Sequence, residues 1–243
     1  MLEFRRDRRR VFNRSGLIAT TQVLTSIVTV TALFALLPVS ANASCNPNRG
    51  SLAHNYLAFS LWNIGSGNVG GAGANIQEYY PYVYAGESVA WSMIDRGTAN
   101  WAQVGWDQFS GTTRYLFMQH TYGGQSYTLR MGALGGSINR YTVTSNNANL
   151  TVSYYDNGSL ITTDNVDWTA DTAQFASEIT NQANQVAGGR NSPEMFTNSK
   201  VYSNSAGAWV IMGGSAGNTN GAISGSVDGQ NGQEETWDQA CAS

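Results

Sequence analysis

The sequence predicts an all-β protein, a sandwich of two antiparallel sheets in a single domain. From Leu57 onward, apolar and polar residues alternate in short runs that are rich in Val, Tyr, Trp, Phe and Thr. Gly, Asn and Asp interrupt these runs about every ten residues, as turns do in sheet proteins. No run carries the apolar stripe of an amphipathic helix. About twelve such strands favour a jelly-roll or concanavalin-like sandwich, with a closed barrel as the alternative.

The alternation places the strands one after another along the chain. They are predicted at 58–62, 80–84, 88–94, 101–108, 114–121, 126–131, 139–144, 150–155, 160–163, 173–180, 195–202 and 208–212. The domain organisation follows from them. We expect an export signal over 1–43, an N-terminal extension with a Gly-rich loop over 44–76, the sandwich over 77–212 and a Gly/Asn-rich C-terminal segment over 213–243.

The connection at Asp156-Asn157-Gly158 is predicted to be a tight hairpin, because Asn and Gly adopt positive φ readily. Two Gly-rich stretches, 63–75 and 213–235, are expected to lie outside the sheets because they are polar and flexible. Loops over a binding face and plain disorder explain these stretches equally well.

The first 43 residues have the three parts of a secretory signal. A basic segment, RRDRRRVFNR, precedes an apolar run over 16–37, and Ala41-Asn42-Ala43 follows as a small-x-small cleavage pattern. The run contains several Ser and Thr residues and stops at Pro38, which argues against a membrane anchor. We therefore expect a secreted chain that begins at Ser44 and has no membrane contact. Arg9-Arg10-Val11-Phe12 is typical of twin-arginine export, and an ordinary basic segment explains it equally well.

Removal of the signal leaves an acidic chain. Residues 1–43 contain 6 of the 13 basic and 2 of the 16 acidic residues, so 7 basic and 14 acidic residues remain, with a net charge of −7. Lys200 is the one lysine and the arginines are scattered, so a phosphate backbone has no basic surface to bind. Nucleic acid is excluded as a partner. An acidic medium, which relieves the repulsion between carboxylates, suits this chain.

Cys45 and Cys241 are the only cysteines and lie at the two ends of the mature chain. In an exported protein they predict one disulfide, which on the chain-entropy model contributes about 4 to 5 kcal/mol for a loop of about 200 residues. A lipid anchor on Cys45 is the competing use. Asn42 disfavours it, because a lipoprotein signal carries an apolar residue there. Two isolated cysteines do not make a zinc site, and no cluster of His and acids predicts another metal site.

Alternation places Gln103 on a sheet face that is rich in aromatic rings. Trp101, Gly105 and Asp107 share that face along the same strand. One face of the next strand carries Tyr115, Phe117, Gln119 and Thr121. Gln103 and Gln119 are therefore predicted to share a face. Such a face can bind a polymer, because rings stack on sugars or side chains and amides hydrogen-bond to carbonyls.

A series of motifs in this region resembles the glutamic peptidases known as eqolisins. Ala90-Trp91-Ser92-Met93-Ile94-Asp95 resembles A-W-x-x-I-D, and Gln103-Val104-Gly105-Trp106-Asp107 resembles Q-x-G-x-D. The runs YLFMQ (115–119), AQFASE (173–178) and MFTN (195–198) are similar to Y-E-W-Y, A-E-W-I-V-E and F-T-N. The order is shared over residues 88–200. The neprosin-type peptidases, with E-A-G-W in the strand of Gln103, are a second comparison.

This resemblance implies a concanavalin-like sandwich that hydrolyses polypeptides in an acidic medium, with no metal or other cofactor required. Glu178 would act as the general base on a water molecule, and Gln103 would stabilise the oxyanion of the tetrahedral intermediate. The residues expected to bind substrate are Trp91, Trp101, Tyr115, Phe117 and Gln119. We expect a monomer.

Two positions depart from the pattern of these peptidases. Gln119 and Gln174 stand where the motifs have Glu. If the missing acids only support the base, activity survives. If they set the pKa of the base, the chain is a catalytically inactive relative.

Each candidate also has a purely structural interpretation. Gln103 can pair within a polar sheet face, Glu178 can be a solvated acid on an edge strand, and most of the aromatic side chains can be core. Asp95 and Asp107 are expected to close turns or to pair with arginines, Arg96 or Arg114.

Other functional classes have different requirements. A serine hydrolase would have to use His54 or His120, and the sequence has no Gly-x-Ser-x-Gly elbow for its nucleophile. The sequence also has no close pair of carboxylates on a strand that would predict a glycosidase. The main alternative is a non-catalytic secreted module that binds a carbohydrate or cell-wall polymer through the same aromatic face. A structural or surface-coat role is third.

Overall fold

The computed structural model describes residues 45, 47, 55–61, 67–134, 138–212, 215–218, 223–228 and 230–241, with 55–61 and 215–218 described by their backbone alone. The predicted export signal and its cleavage site lie outside these residues. The described residues all belong to one compact unit, which runs from Ser40 to Ser243. The regular structure of these residues is entirely β-strand. They include no helix that is long and apolar enough to span a membrane.

Sixteen strands follow one another in the described residues. They are β1 Asn55–Leu61, β2 Val69–Gln77, β3 Glu87–Asp95, β4 Trp101–Phe109, β5 Arg114–Tyr122, β6 Gln125–Ala133, β7 Ile138–Asn146, β8 Thr151–Asp156, β9 Ser159–Asn165, β10 Thr172–Ile179, β11 Gly188–Gly189, β12 Ser192–Ser203, β13 Ala208–Ile211, β14 Ser215–Asn218, β15 Ile223–Asp228 and β16 Gln233–Asp238.

The strands form two antiparallel sheets that pack face to face. The seven-stranded sheet has the order β14-β1-β10-β3-β4-β5-β6. The nine-stranded sheet has the order β15-β16-β12-β2-β7-β8-β9, and β11 and β13 also pair with β12. This architecture confirms the predicted all-β sandwich.

The hydrophobic core fills the space between the two sheets. Strand β4 directs Ala102, Val104 and Trp106 into it, and all three side chains are fully buried. Their neighbours Gln103 and Gly105 point to the outer face, because successive side chains of a strand alternate between faces. The alternation that predicted the strand therefore also decides which side chains reach the solvent.

The hairpin between β8 and β9 confirms the predicted turn. Asn157 and Gly158 both have positive φ, 48° and 82°, and connect Asp156 to Ser159, which face each other in the ladder. Two consecutive residues of positive φ are what a type I′ turn requires.

The strand predicted at 80–84 is wrong. This segment contains Pro81, which has no N–H to donate, and it lies outside both ladders. Side chains supply its hydrogen bonds instead: Tyr82 N donates to Gln185 Oε1 at 3.0 Å, and Tyr84 N donates to Asn184 Oδ1 at 2.8 Å.

The expectation that the Gly-rich stretches lie outside the sheets is also wrong. Residues 69–75 belong to β2, a central strand of the nine-stranded sheet. A Cβ at Gly73 would lie 3.2 Å from Thr142 Cβ, so the neighbouring strand already fills that space. In the second stretch, β14 extends the seven-stranded sheet, and β15 and β16 extend the other. At Gly73, the side chain of the neighbouring strand provides the packing that glycine lacks.

The predicted disulfide between Cys45 and Cys241 is present. It joins residues 196 positions apart whose Cα atoms lie 5.8 Å from each other. Cys45 N also donates to Gln185 Oε1 at 3.1 Å, and Arg190 N donates to Cys241 O at 3.0 Å. The two ends of the described chain are therefore fixed to the same part of the sandwich.

Candidate active site

The predicted site residues lie on the outer face of the seven-stranded sheet. Strand pairing places Gln174, Met93, Gln103 and Gln119 opposite one another, which forms one row across β10, β3, β4 and β5. Residues paired in this way share a face of the sheet. Amide side chains thus cross the sheet at this level, with a single methionine between them.

An open groove of about 560 Å³ lies over this row. Both predicted catalytic residues, Gln103 and Glu178, line it. The remaining lining residues are Glu87, Trp91, Met93, Asp95, Gly97, Thr98, Trp101, Gln119 and Gln174. The groove therefore combines two indole rings, three amides and three carboxyl groups.

Trp91 separates the two predicted catalytic residues. Strand β3 lies between the strands of Glu178 and Gln103, so two strand spacings of about 4.8 Å each separate the two residues across the sheet. Along the sheet, Glu178 is level with Val89 and Gln103 with Met93, which adds an offset of about 13 Å. Along β3, Trp91 lies one row from the level of Gln103 and one row from the level of Glu178. Its indole Nε1 donates to Glu178 Oε2 at 3.1 Å. The carboxylate is therefore turned towards the middle of the groove.

The side-chain amide of Gln103 is fixed by a neighbouring amide. Gln103 Nε2 donates to Gln119 Oε1 at 2.8 Å, and Gln119 Nε2 donates to Ser126 Oγ at 3.0 Å. Gln103 is only 8% exposed. An amide nitrogen carries two hydrogens, so Gln103 can make this bond and still donate the second hydrogen to a ligand.

A buried carboxyl group, that of Asp95, lies at one end of the groove. Asp95 Oδ2 accepts a hydrogen bond from Gln174 Nε2 at 2.8 Å. Burial raises the pKa of Asp95 to about 6, although this hydrogen bond opposes the shift. Asp95 closes the turn that follows β3, which was one of the two expectations for it, by accepting a backbone hydrogen bond from Gly97. The alternative pairing with Arg96 is wrong, because the Arg96 guanidinium lies 3.9 Å from Asp171 instead.

Asp107, in the motif of Gln103, supports the sheet from a buried position. It accepts a hydrogen bond from Arg130 Nε. Burial raises the pKa of Asp107 to about 6, against the opposing effects of this bond and the arginine charge. The same guanidinium donates to Glu87 at 3.0 Å. The expected pairing with Arg114 is wrong, since Arg114 lies 3.7 Å from Glu78 in the interior.

The glycine of the same motif, Gly105, lies opposite Trp91 where the strands approach closely. A Cβ at this position would lie 2.8 Å from both the carbonyl carbon of Ala90 and the Cα of Trp91. It would also overlap the carbonyl oxygen of Ala90. Only glycine fits beside the tryptophan that contacts Glu178.

The predicted substrate-binding residues divide into two groups. Trp91, Trp101 and Gln119 line the groove. Phe117 is only 2% exposed and packs with Val89, Trp91 and Ala176, so it supports the groove from beneath. Phe117 is therefore not among the residues that line the groove, and its role in substrate binding stays a prediction.

Tyr115 pairs with Asp107 on the same outer face but is not among the residues that line the groove. Sequence reasoning missed Met93, Glu87, Gly97 and Thr98, and it assigned Asp95 and Gln174 no role in binding. The alternation of β3 carried a usable signal, because it places Met93 and Asp95 on the face of Trp91.

In the described part of the chain, no group of three or more His, Cys, Asp or Glu side chains could hold a metal ion. The chemistry of the groove is that of carboxyl, amide and indole groups. A carboxylate can take a proton from water, and an amide N–H can stabilise a developing negative charge.

Fold and groove together define an antiparallel sandwich with an acidic, aromatic-lined groove on its outer face. Two solved structures with this fold are those of Scytalido-glutamic peptidase with a peptide-based transition state analogue and with a transition state analogue inhibitor. Each is 16% identical and covers 76% of this chain and 98% of its own, with TM-scores of 0.54 and 0.53. The chain therefore has the glutamic peptidase fold, as its motifs predicted.

SCP-B, a member of the eqolisin family in a complex with the tripeptide Ala-Ile-His, has a TM-score of 0.48. It is 17% identical and covers 76% of this chain and 98% of its own. No family model matches the chain, and no curated protein sequence matches it.

Proposed function

We propose that the protein is a glutamic-type peptidase that hydrolyses peptide bonds in an acidic medium. Glu178 is the general base and Gln103 stabilises the oxyanion. One observation carries this proposal: the two side chains, 75 positions apart in the sequence, line one open groove on either side of Trp91.

The proposed reaction uses a water molecule, the Glu178 carboxylate and the side-chain amide of Gln103. A water molecule beside Glu178 loses a proton to the carboxylate as its oxygen attacks the scissile carbonyl carbon. The carbonyl oxygen becomes an oxyanion and accepts the second hydrogen of Gln103 Nε2. The proton then passes from Glu178 to the leaving amine nitrogen as the C–N bond breaks. The protein atoms return to their starting state and water has been consumed.

Two neighbours position these groups before substrate arrives. Trp91 holds the Glu178 carboxylate with its indole N–H, and Gln119 holds the amide plane of Gln103. Donors that are already oriented cost little reorganisation during the reaction, which is the main source of oxyanion stabilisation. Gln119 supplies the acceptor oxygen that Glu has in the related motif, so this departure preserves the contact with Gln103.

Two carboxyl groups, one in the groove and one buried in the same sheet, support activity in an acidic medium. Asp95 and Asp107 have pKa values near 6, so both are largely protonated in an acidic medium. A protonated Asp95 can donate a hydrogen bond to a substrate carbonyl in the groove. Above pH 6 it becomes an anion at its end of the groove, which weakens the binding of peptide carbonyls there.

We also propose that the protein acts outside the cytoplasm. The disulfide between Cys45 and Cys241 supports this location, because such bonds form and persist in oxidising compartments. The predicted signal over 1–43 is the second support, and N-terminal sequencing of the secreted protein tests it. We expect the mature chain to begin at Ser44.

The decisive experiment measures hydrolysis of a denatured protein at acidic pH. The purified mature chain is compared with Glu178→Gln and Gln103→Ala, and with Glu235→Gln as a control acid on the other sheet. In water enriched in oxygen-18, cleavage by the parent chain should place one heavy oxygen in each new carboxyl group.

We expect Glu178→Gln to abolish hydrolysis and Gln103→Ala to lower kcat about 100-fold or more. The control should match the parent chain. Equal cleavage by all four proteins would contradict the assignment. Glycan binding that persists in Glu178→Gln, without hydrolysis by any of the proteins, would instead support the non-catalytic binding module.

A further inference from the structure

We propose, in place of the monomer expected from the sequence, that β6 pairs with β6 of a second copy of this chain, so that two seven-stranded sheets join edge to edge in a dimer. This inference does not depend on the proposed catalytic activity. Strand β6 ends the order of its sheet and, among the described strands, pairs only with β5. All nine of its residues are exposed. The outer edge of such a strand presents backbone N–H and C=O groups that another strand can bind.

The side chains of β6 form an exposed apolar row. Tyr127, Leu129 and Met131 are 45%, 47% and 45% exposed, and alternation places them on one face. Their partners across the ladder, among them Met118, point towards the sandwich interior. Tyr127 and Leu129 also line a cavity of about 460 Å³ at the open side of the sandwich. A second strand beside β6 would cover this row.

Strand β6 lacks the features that usually protect an edge. Natural edge strands carry charges, prolines or bulges that prevent pairing. The one charged residue of β6 is Arg130, and its guanidinium binds Asp107 and Glu87 of its own sheet. The ladder irregularity falls at Gly132, near the end of the strand, so residues 125–131 remain regular.

The edge strand of the other sheet, β9, is different. It contains Asp164, and its ladder with β8 is irregular in the middle, between Tyr154 and Tyr155. A charge and a central irregularity are protective features. Of these two edge strands, only β6 lacks the features that prevent pairing with another strand.

The sequence of β6 is complementary to itself in one antiparallel register. With Leu129 on a twofold axis, Leu129 faces its own copy, and Tyr127 faces Met131. The three apolar side chains of each copy then meet on one face. Arg130 faces Thr128, so the two like charges are not opposed. Pairing about a twofold axis occupies the outer edge of β6 in both copies, so the assembly stops at a dimer.

The position of the apolar row distinguishes a second copy from a substrate chain. Gln119 lines the groove and donates to Ser126, so the groove lies on the outer face of the sheet, the face that Ser126 shares. Tyr127, Leu129 and Met131 lie on the opposite, inner face. A polypeptide held in the groove does not contact them. A second copy of β6 presents an identical row at the same level.

Cross-linking at the proposed axis tests the pairing. Paired Cα atoms in antiparallel strands lie about 4.5 to 5.5 Å apart, within the range that a disulfide spans. Leu129→Cys of the mature chain should therefore form a covalent dimer under mild oxidation. Leu160→Cys on β9 is the matched control, since Leu160 is 58% exposed on the other edge. We expect Leu129→Cys to react about tenfold faster or more, because association brings its thiols together.

Sedimentation velocity provides the independent measurement. The parent chain should show a concentration-dependent dimer, and Leu129→Lys should remain a monomer with an unchanged circular dichroism spectrum. A parent chain that stays monomeric at every concentration would overturn the proposal. Equal cross-linking of the two cysteine variants, or a peptide that binds β6 of a monomer, would overturn it as well.

Discussion

The indole nitrogen of Trp91 lies 3.1 Å from Oε2 of Glu178, across the gap between β3 and β10. A hydrogen bond to a charged group typically contributes about 1.5 to 3 kcal/mol. Here the bond stabilises and orients the carboxylate that is proposed to activate water. Trp91 is therefore a positioning residue for the base as well as part of the groove surface.

Trp91→Phe keeps an aromatic ring and removes the N–H donor. We expect kcat to fall about tenfold or more with little change in KM, because the proposed base loses the donor that orients it. Trp209→Phe, on β13, is the control and should leave both constants unchanged. A loss of kcat that is matched by a lower melting temperature would show that Trp91 acts only through packing.

Replacement of Gln119 separates orientation of the oxyanion donor from its presence. Gln119→Leu removes the acceptor for Gln103 Nε2, so we expect kcat to fall about tenfold with little change in KM. Gln119→Glu retains an acceptor oxygen and should keep most of the activity. Steady-state kinetics on a peptide substrate give both constants. If both variants lose activity equally, the amide of Gln119 has a role other than accepting this bond.

Gly105→Ala should destabilise the sandwich because its Cβ would overlap the backbone of β3. We expect a cost of about 3 kcal/mol, near the upper end for overpacking, and a melting temperature about 6 to 12 °C lower. Gly123→Ala is the comparison. Gly123 has a φ of 59° with open space around it, so its cost should be about 1 kcal/mol. Similar melting temperatures for the two variants would contradict the close approach at Gly105.

Buried carboxyl groups predict that the fold is most stable in acid. Burial raises the pKa of Glu194 to about 8 and that of Glu234 to about 7, above the 4.5 of the unfolded chain. The folded state therefore binds more protons, and its stability falls as the pH rises from about 4.5 to about 8. The melting temperature measured across this range should decrease steadily.

Glu194→Gln tests the source of this pH dependence. Glu194 accepts a hydrogen bond from Ser177 Oγ at 2.5 Å, and an amide oxygen can accept the same bond without ionising. We expect the variant to lose less stability than the parent chain between pH 4.5 and 8, by on the order of a few kcal/mol. Glu235→Gln should behave like the parent. Parallel curves for all three proteins would assign the pH dependence to other groups.

Much of the fold could be predicted because side-chain alternation is a local property. In β4, the order Trp101 to Asp107 was enough to separate the core face from the groove face. Strand β2 was missed because glycine has a low strand propensity, and only its neighbours, such as Thr142, supply the packing that makes it a strand.

The two proposed catalytic residues could be suggested from ordered motifs, and both line the groove. Their partners could not. Arg130 reaches Asp107 across an intervening strand, and Gln174 meets Asp95 from β10, so both pairs depend on strand order. Strand order is set by long-range packing, which the local pattern of one sequence does not specify.

The bond between Cys45 and Cys241 turns the folded polypeptide into a covalent ring. Proteases cut folded proteins preferentially at exposed turns. A single cut in a chain without this disulfide yields two fragments that can dissociate. With the disulfide in place, a single cut between the two cysteines leaves the two halves covalently joined. Damage at one turn therefore leaves both halves of the sandwich able to re-form, and only a second cut releases a fragment.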